Sequence, residues 1–218
     1  MRFFILLFLS FNLFSQTPPN YKNEKKIPDK ETILYETYDN GKTGTIKISL
    51  NKDTIGYRIT YSSDRFIEVI LDTSNLQTLY LNKFVEGKWE LTINRKGMLF
   101  EVNYKNNKRT YKEEPVFDRH TLDFVLRGFE YYLGFQKRIR LNVPEFMVVN
   151  ADIKVIGEEY VLVPIGEIAC WKIEMHPRII FIKKRFFFWI EKEYPHRFVK
   201  YQDSEGKNQI ILKEYNIN

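Results

Sequence analysis

Cysteine is almost absent from this sequence, which has a single thiol, Cys170, in 218 residues. One cysteine cannot close an internal disulfide, so stability has to come from a hydrophobic core. Histidine is also scarce: His120, His176 and His196 are widely spaced, with no His-x-x-x-His pair and no thiol partner at zinc spacing. The sequence therefore predicts no metal site and no cofactor.

Recognisable catalytic motifs are missing as well. The sequence has no G-x-S-x-G elbow, no phosphate-binding glycine loop and no H-E-x-x-H motif. The adjacent carboxylates Glu158 and Glu159 would point to opposite faces of a strand, so we interpret them as solvated turn charges rather than an acid–base pair. Cys170 is interpreted as an apolar core residue, with a reactive thiol as the alternative. We predict no catalytic residues and no enzymatic activity.

Long hydrophobic runs are limited to one short stretch at the N-terminus. Arg2 precedes an uncharged, mainly apolar run from Phe3 to Phe14, and the small residue Ser15 follows. The run is about a dozen residues, whereas a spanning helix needs roughly 20, so the layout is that of a secretory signal peptide. We predict a signal peptide at residues 1–16, with a retained anchor as the alternative. No cysteine follows the run to carry a lipid, and the expected location is periplasmic or secreted.

The charges are nearly balanced. The chain has 34 Lys and Arg against 28 Asp and Glu, a formal net charge of +6. Such a small surplus is typical of a solvated surface and, without a nucleic-acid-binding module, it argues against a nucleic-acid partner. Peripheral contact with an anionic membrane surface stays open.

The rest of the chain has the pattern of a β-sheet protein. Residues 17–30 are polar and proline-marked, which predicts a flexible leader before a single domain at residues 31–218; two small domains are the alternative. Aromatic residues make up 16% of the chain, which favours broad sheets. Apolar runs separated by turn residues recur about every ten residues, as in an antiparallel meander. Asn40-Gly41 predicts a tight hairpin between the first two strands.

The most strongly patterned stretch runs from Phe146 to Glu174. It predicts two or three consecutive antiparallel strands. One strand is expected to end at Val155–Gly157, and Tyr160–Val163 is expected to form another. The turn at Pro164–Glu167 is expected to lead back into a strand that contains Cys170.

One segment has the period of a helix instead. Between Asp118 and Gly134 apolar residues recur at three- and four-residue steps, which predicts one amphipathic helix lying on the sheet. Asp118 or Thr121 is expected to cap its start, and Gly134 to end it. A membrane-surface helix is the alternative, although the mixed charges of its polar face argue against it.

Five large apolar residues follow one another from Phe186 to Ile190. Because alternate residues of a strand face opposite sides of the sheet, both faces are expected to be covered here. Core packing is the first interpretation. The alternative is a surface that contacts an apolar ligand, with Trp171, Phe187 and Trp189 as candidate ligand-binding residues.

Several short motifs between residues 118 and 215 carry a resemblance to a known family. They are Thr121-Leu122-Asp123 with Arg127, Gly157-Glu158-Glu159, Val163–Ile168 followed by Cys170 and Lys172, and Phe188-Trp189-Ile190 leading to Pro195–Tyr201. This part of the chain resembles exported bacterial proteins of unknown function that are related in shape to the Lol-type periplasmic lipoprotein carriers. The resemblance implies a mainly β (α+β) fold, in which a long antiparallel meander curls into an incomplete barrel with one helix packed against its concave face.

The resemblance also suggests a role, because relatives of this shape hold lipids or acyl chains in the hollow. We therefore expect an exported protein that binds an apolar ligand such as a lipid or acyl chain in the half-barrel hollow. The alternative is an envelope structural or protein-interaction module that uses a sheet edge or the aromatic face. The family carries no catalytic residues to transfer.

Overall fold

The computed structural model describes residues 27–112, 116–179 and 184–217. Within these ranges the chain forms fifteen strands and one short helical segment. The strands are β1 (Lys30–Asp39), β2 (Lys42–Lys52), β3 (Tyr57–Ser62), β4 (Arg65–Leu71), β5 (Thr78–Val85), β6 (Lys88–Lys96), β7 (Leu99–Tyr104), β8 (Asn107–Lys112), β9 (Val116–Asp118), β10 (Gln136–Asn142), β11 (Val148–Val163), β12 (Gly166–Pro177), β13 (Phe186–Glu191), β14 (Phe198–Asp203) and β15 (Asn208–Ile217).

All fifteen strands belong to one open sheet, in the order β8-β7-β6-β5-β4-β3-β2-β1-β15-β14-β13-β12-β11-β10-β9. Strands that follow one another along the chain are neighbours in the sheet, except for β8 and β9, which form its two ends; β1 pairs with β15 and so joins the two halves. Only β9 and β10 run parallel. The predicted mainly β fold, an antiparallel meander curled into an incomplete barrel, is confirmed.

The first strand begins close to Glu31, where the domain was predicted to start. β1 starts at Lys30, and Ile27 before it is buried in the core. The predicted signal peptide at residues 1–16 and most of the predicted leader lie outside the described residues. No helix among the described residues is long and apolar enough to span a membrane.

One face of the sheet, here called the core face, carries the hydrophobic core. In β1 to β3 it is formed by directly opposed residues such as Ile33, Ile48 and Tyr61, and the alternate residues of the same strands point to the other, outer face. The predicted Asn40-Gly41 hairpin is confirmed, with φ values of 49° and 85° that suit a tight turn.

The helical segment is shorter than predicted. It consists of a 3-10 turn at Arg119–Thr121, an α-helical turn at Leu122–Val125 and a second 3-10 turn at Leu126–Gly128. Asp118 caps its start by accepting a hydrogen bond from the His120 backbone N–H. The predicted extension to Gly134 is wrong: Phe129 is already extended, with ψ 148°, and its ring packs with those of Tyr131 and Phe135. The apolar period of the second half therefore reflects an aromatic cluster rather than a helix.

The stretch from Phe146 to Glu174 forms two long strands rather than three. The expected strand end at Val155–Gly157 is wrong, because β11 continues through it with a β-bulge: Val155 lies opposite Ile173 and Gly157 lies opposite Lys172. The predicted turn before Gly166 is confirmed. The short strand β9 was not predicted.

Candidate functional site

The helical segment is fixed in the hollow by a buried ion pair. Arg127 Nη1 and Nη2 donate to the two carboxylate oxygens of Glu31, at 2.5 and 3.0 Å, and both side chains are essentially inaccessible to solvent. Arg127 Nη2 also donates to the Pro195 carbonyl oxygen at 3.2 Å. The Tyr215 hydroxyl donates to Glu31 at 2.5 Å. One guanidinium thus joins the helical segment to β1, and through Glu31 to β15 and through Pro195 to the β13–β14 loop.

A second polar contact holds the other end of the segment. The Tyr61 hydroxyl on β3 donates to Asp123 Oδ1 at 2.9 Å, and the Tyr61 ring makes an edge contact with Phe124. Burial raises the pKa of the Asp123 carboxyl from 3.8 to about 7, although the Tyr61 hydrogen bond and Arg127 oppose the shift. Burial raises the pKa of the Tyr61 hydroxyl as well, and Asp123 adds to the effect.

Protein side chains occupy the part of the hollow in which a ligand was expected. Phe124, Val125 and Leu126 are each at most 1% exposed where the segment meets the core face. Two open surface grooves among the described residues lie at other places: one of about 530 Å³ next to Asn40 and Lys207, and one of about 420 Å³ on the outer face of β10–β12.

The three candidate ligand-binding residues lie on two different faces of the sheet. Lys172 lies opposite Trp189 and Glu174 lies opposite Phe187, whereas Trp171 lies opposite Ile190. Directly opposed residues share a face, so Phe187 and Trp189 lie on the outer face and Trp171 lies on the core face. Phe187 and Trp171 are half-buried and Trp189 is buried. The structure brings Phe187 and Trp189 together and separates Trp171 from them; ligand contact by the three stays a prediction.

Polar and cationic groups enclose Trp189 on the outer face. Its indole N–H donates to Glu159 Oε1 at 2.5 Å, and the ammonium groups of Lys172 and Lys200 lie 5.0 and 4.8 Å from its ring. Lys172 also pairs with Glu159 at 3.0 Å. Cation–π contact and hydrogen bonding therefore account for the burial of this indole.

A similar lysine–glutamate ion pair lies over the ring of Trp171 on the core face. Lys192 Nζ is 4.5 Å from the ring and pairs with Glu158, which lies directly opposite Trp171. Glu158 and Glu159 do point to opposite faces, as predicted. The interpretation of both as turn charges is wrong, because both lie within β11 and have cationic partners.

The bulge in β11 changes which face of the β11–β12 hairpin is buried. On the side of the bulge away from the hairpin tip, Ile173 and Met175 of β12 are buried on the core face. On the side nearer the tip, the buried residues of β12 are Ile168 and Cys170, which lie on the opposite face. As a result the core face becomes solvent-exposed toward the tip, where Tyr160 is 72% and Leu162 81% exposed.

We call this exposed surface the hairpin face; it consists of Tyr160, Leu162 and Ala169, with Glu158 and Glu167 on the same face and Trp171 at its inner end. It adjoins an unpaired strand edge. The pairing of β10 with β11 ends at Lys154, and after the Val155–Phe135 hydrogen bond no described strand bonds to the outer edge of β11. Sequence reasoning missed this site, because nothing local distinguishes an exposed alternate residue of a strand from a buried one.

The remaining candidate chemistry is structural. Cys170 is a buried free thiol, as expected for a core cysteine, and burial raises its pKa to about 12, which disfavours a thiolate. Among the described residues no group of three or more His, Cys, Asp or Glu side chains is placed to hold a metal ion. His120 instead contacts Asp118 at 2.7 Å, at the start of the helical segment.

These features define a class of protein: an open antiparallel half-barrel whose hollow is occupied by a short helical segment fixed by a buried ion pair. No protein-family model matches the sequence, and no curated protein matches it either.

One solved structure shares the fold at a TM-score above 0.5. The chain is similar to a β-barrel-like protein of domain of unknown function DUF1849 from Brucella abortus, with a TM-score of 0.56, 12% identity and coverage of 88% of this chain and 99% of that one. It is also similar to an exported protein, so described, with a YmcC-like fold from Bacteroides fragilis, with a TM-score of 0.36, 10% identity and coverage of 88% and 99%. A third structure, MucB, has a TM-score of 0.39 and 10% identity, and the match covers 91% of this chain and 57% of that one.

The expected likeness to proteins of unknown function is thus confirmed at the level of the fold. The likeness in shape to the Lol-type carriers stays an expectation.

Proposed function

We propose that this protein is an exported, non-catalytic binding protein that docks an envelope protein partner on the β11–β12 hairpin. The observation that carries the proposal is the combination of an exposed apolar surface and an unpaired strand edge on the same hairpin. Exposed apolar strands with free edges are normally blunted or covered in natural proteins, because they invite pairing with another chain. A partner strand would satisfy both features at once.

Strand addition is the recognition mode that this geometry supports. The backbone N–H and C=O groups of Gly157–Val163 would bond to the partner, and alternate side chains of the added strand would lie beside Tyr160 and Leu162. Covering two large apolar side chains contributes roughly 1.5–3 kcal/mol each. Docking at this edge needs no change in the ion pair that fixes the helical segment.

Export rests on the sequence of residues 1–16. The experiment for this part is cell fractionation with N-terminal sequencing of the purified protein. We expect a periplasmic or secreted chain that begins near Gln16, and a cytoplasmic chain with an intact N-terminus would contradict it.

Site-specific photocross-linking in cells that export the protein tests the docking site. A benzophenone amino acid at Leu162 is expected to give a discrete cross-linked product, and Tyr160→Asp in the same chain should reduce its yield several-fold. Ile55, which is 61% exposed between β2 and β3, is the matched control position. Equal patterns from Leu162 and Ile55, or a product unaffected by Tyr160→Asp, would rule the docking site out.

An apolar ligand such as a lipid or acyl chain is the second candidate. The observation that favours it is that the hairpin face continues the core face of the sheet past Trp171, so that an acyl chain at the mouth of the hollow would extend the core. Phe187 and Trp189 lie on the outer face, so they could contact such a ligand only at a second site, separate from the one at Trp171.

Uptake of a fluorescent fatty acid by delipidated protein, together with native mass spectrometry, tests the second candidate. We expect saturable uptake that Trp171→Ala weakens, whereas Phe187→Ala serves as the control on the other face. A protein that purifies without lipid and takes up no probe would exclude this candidate and leave docking of a protein partner unaffected.

A further inference from the structure

A cluster of cationic side chains lies on the outer face of β10–β12, away from the hairpin face. Arg138, Asp152 and His176 lie directly opposite one another on three neighbouring strands, and Lys154 lies opposite Glu174 in the adjacent row. Together with Arg178 these residues line an open groove of about 420 Å³. We call it the basic groove.

Two arginines in this groove are held by one carboxylate. Arg138 Nε donates to Asp152 Oδ1 at 2.7 Å, and Arg178 Nε donates to Asp152 Oδ2 at 2.6 Å. Each arginine therefore uses only its inner nitrogen on Asp152. The terminal Nη groups of both have no hydrogen-bond partner within the described parts of the chain, and the two side chains are 44% and 56% exposed.

The second row repeats the arrangement. Glu174 is nearly buried and binds Lys154 at 2.9 Å through one oxygen and Arg185 at 3.2 Å through the other. Four cations thus surround two carboxylates, which leaves two positive charges in excess on this small area of a chain whose formal net charge is +6. A concave site with an excess of one sign attracts the opposite charge.

Guanidinium groups are well suited to phosphate, because their outer N–H groups form paired hydrogen bonds to two oxygens of one anion. Here Asp152 holds two guanidinium groups at one place with their outer donors unused, so that part of the ordering cost is already met before an anion arrives. We propose that the basic groove is a binding site for a phosphate group, held by Arg138 and Arg178 with Lys154 and Arg185 as flanking cations.

Binding assays with the purified exported chain test the site. The probes are inorganic phosphate, followed by phosphorus NMR and calorimetry, and vesicles of phosphatidylglycerol in phosphatidylcholine, compared with phosphatidylcholine alone. Binding to both probes, or to free phosphate alone, supports a site for a phosphate group as such. Binding only to the anionic vesicles, if Arg138→Gln abolishes it, identifies the phosphate of a lipid headgroup.

Arg138→Gln and Arg178→Gln are each expected to weaken binding at least about tenfold, since a hydrogen bond to a charged group contributes on that scale. Arg65→Gln is the matched control, because it removes one exposed positive charge from β4, where Arg65 pairs with Asp64. Arg178 lies beyond the end of β12, so its variant should keep the fold and gives a result even if Arg138→Gln destabilises the sheet.

Three results would overturn the proposal: no saturable binding of either probe, binding unchanged in both arginine variants, or an equal loss in Arg65→Gln. In the last two cases the groove would be a network of surface ion pairs and general charge attraction only. Because the groove and the hairpin face lie apart, Tyr160→Asp should leave phosphate binding intact, which separates this test from that of the proposed partner docking.

Discussion

Replacement of Arg127 by Met should be among the most destabilising single changes that this chain offers. The substitution keeps a long side chain in the helical segment but removes the positive charge, which leaves Glu31 buried without its cationic partner. Removing one member of a buried ion pair typically costs about 3–5 kcal/mol. The hydrogen bond to the Pro195 carbonyl oxygen and the contact of the guanidinium with the Phe124 ring, at 5.1 Å, are lost as well.

The double variant Glu31→Leu with Arg127→Met separates the pair from the cost of an orphaned charge. Well-packed apolar replacements of a buried pair are often neutral or even stabilising, so the double variant should be less destabilised than the sum of the two single variants by at least about 2 kcal/mol. The Tyr215 hydroxyl, which donates to Glu31, then loses its acceptor, so full recovery is not expected.

Urea unfolding followed by tryptophan fluorescence measures these differences. With a slope of roughly 2 kcal/mol per molar urea, Arg127→Met should lower the midpoint by at least about 1.5 M. Arg58→Met is the control, since Arg58 forms partly exposed ion pairs with Asp53 and Glu68 and should cost less than about 1 kcal/mol. A loss below about 1 kcal/mol in Arg127→Met, or strict additivity in the double variant, would refute the assignment of this pair as the anchor of the helical segment.

Three further predictions follow from single sites. Because the pKa of Asp123 is raised from 3.8 to about 7, the folded chain retains a proton that the unfolded chain releases, so the free energy of unfolding should fall as pH rises between these values. Asp123→Asn should remove this slope in urea titrations, and an unchanged slope would contradict the reasoning. Cys170, with its pKa raised to about 12, should resist iodoacetamide near pH 8 until urea unfolds the chain, as mass spectrometry would show. Gly56→Ala should cost about 1–3 kcal/mol in thermal unfolding, because its Cβ would fall 2.2 Å from the Leu71 carbonyl oxygen, whereas Gly157→Ala has open space and should be tolerated.

Local turn chemistry made most of the strands predictable. Asn40-Gly41 predicted its hairpin because both residues tolerate positive φ, and the structure has both in that region. The run from Phe186 to Ile190 correctly predicted a strand covered on both faces: Phe188 and Ile190 pack into the core, and Trp189 is enclosed on the outer face by lysines and Glu159.

The predicted helix was too long for an identifiable reason. Three- and four-residue apolar spacing continues from Leu122 to Leu133, but after Gly128 the chain leaves the helix and the aromatic rings pack with one another and with Phe135. Apolar spacing reports which residues are apolar, and it does not report whether their partners lie one helical turn away or on another segment.

The candidate site was not predictable for a related reason. The alternation in β11 indicates that Tyr160 and Leu162 share one face and Val161 and Val163 the other, but the bulge at Val155–Gly157 reverses which face is buried. In the same way Glu31 and Arg127 are 96 residues apart, and their pairing depends on where the helical segment meets β1.

The sequence by itself determined that this chain is an antiparallel β protein, where most of its turns fall, and that Cys170 is a core residue, because these properties follow from backbone propensity and alternation within a few residues. Only the tertiary structure decided which face of each strand is buried, which charges are paired, and where an apolar surface and a strand edge are left open. The physical reason is that burial and ion pairing depend on strand register between distant segments, whereas turn and strand propensities are local.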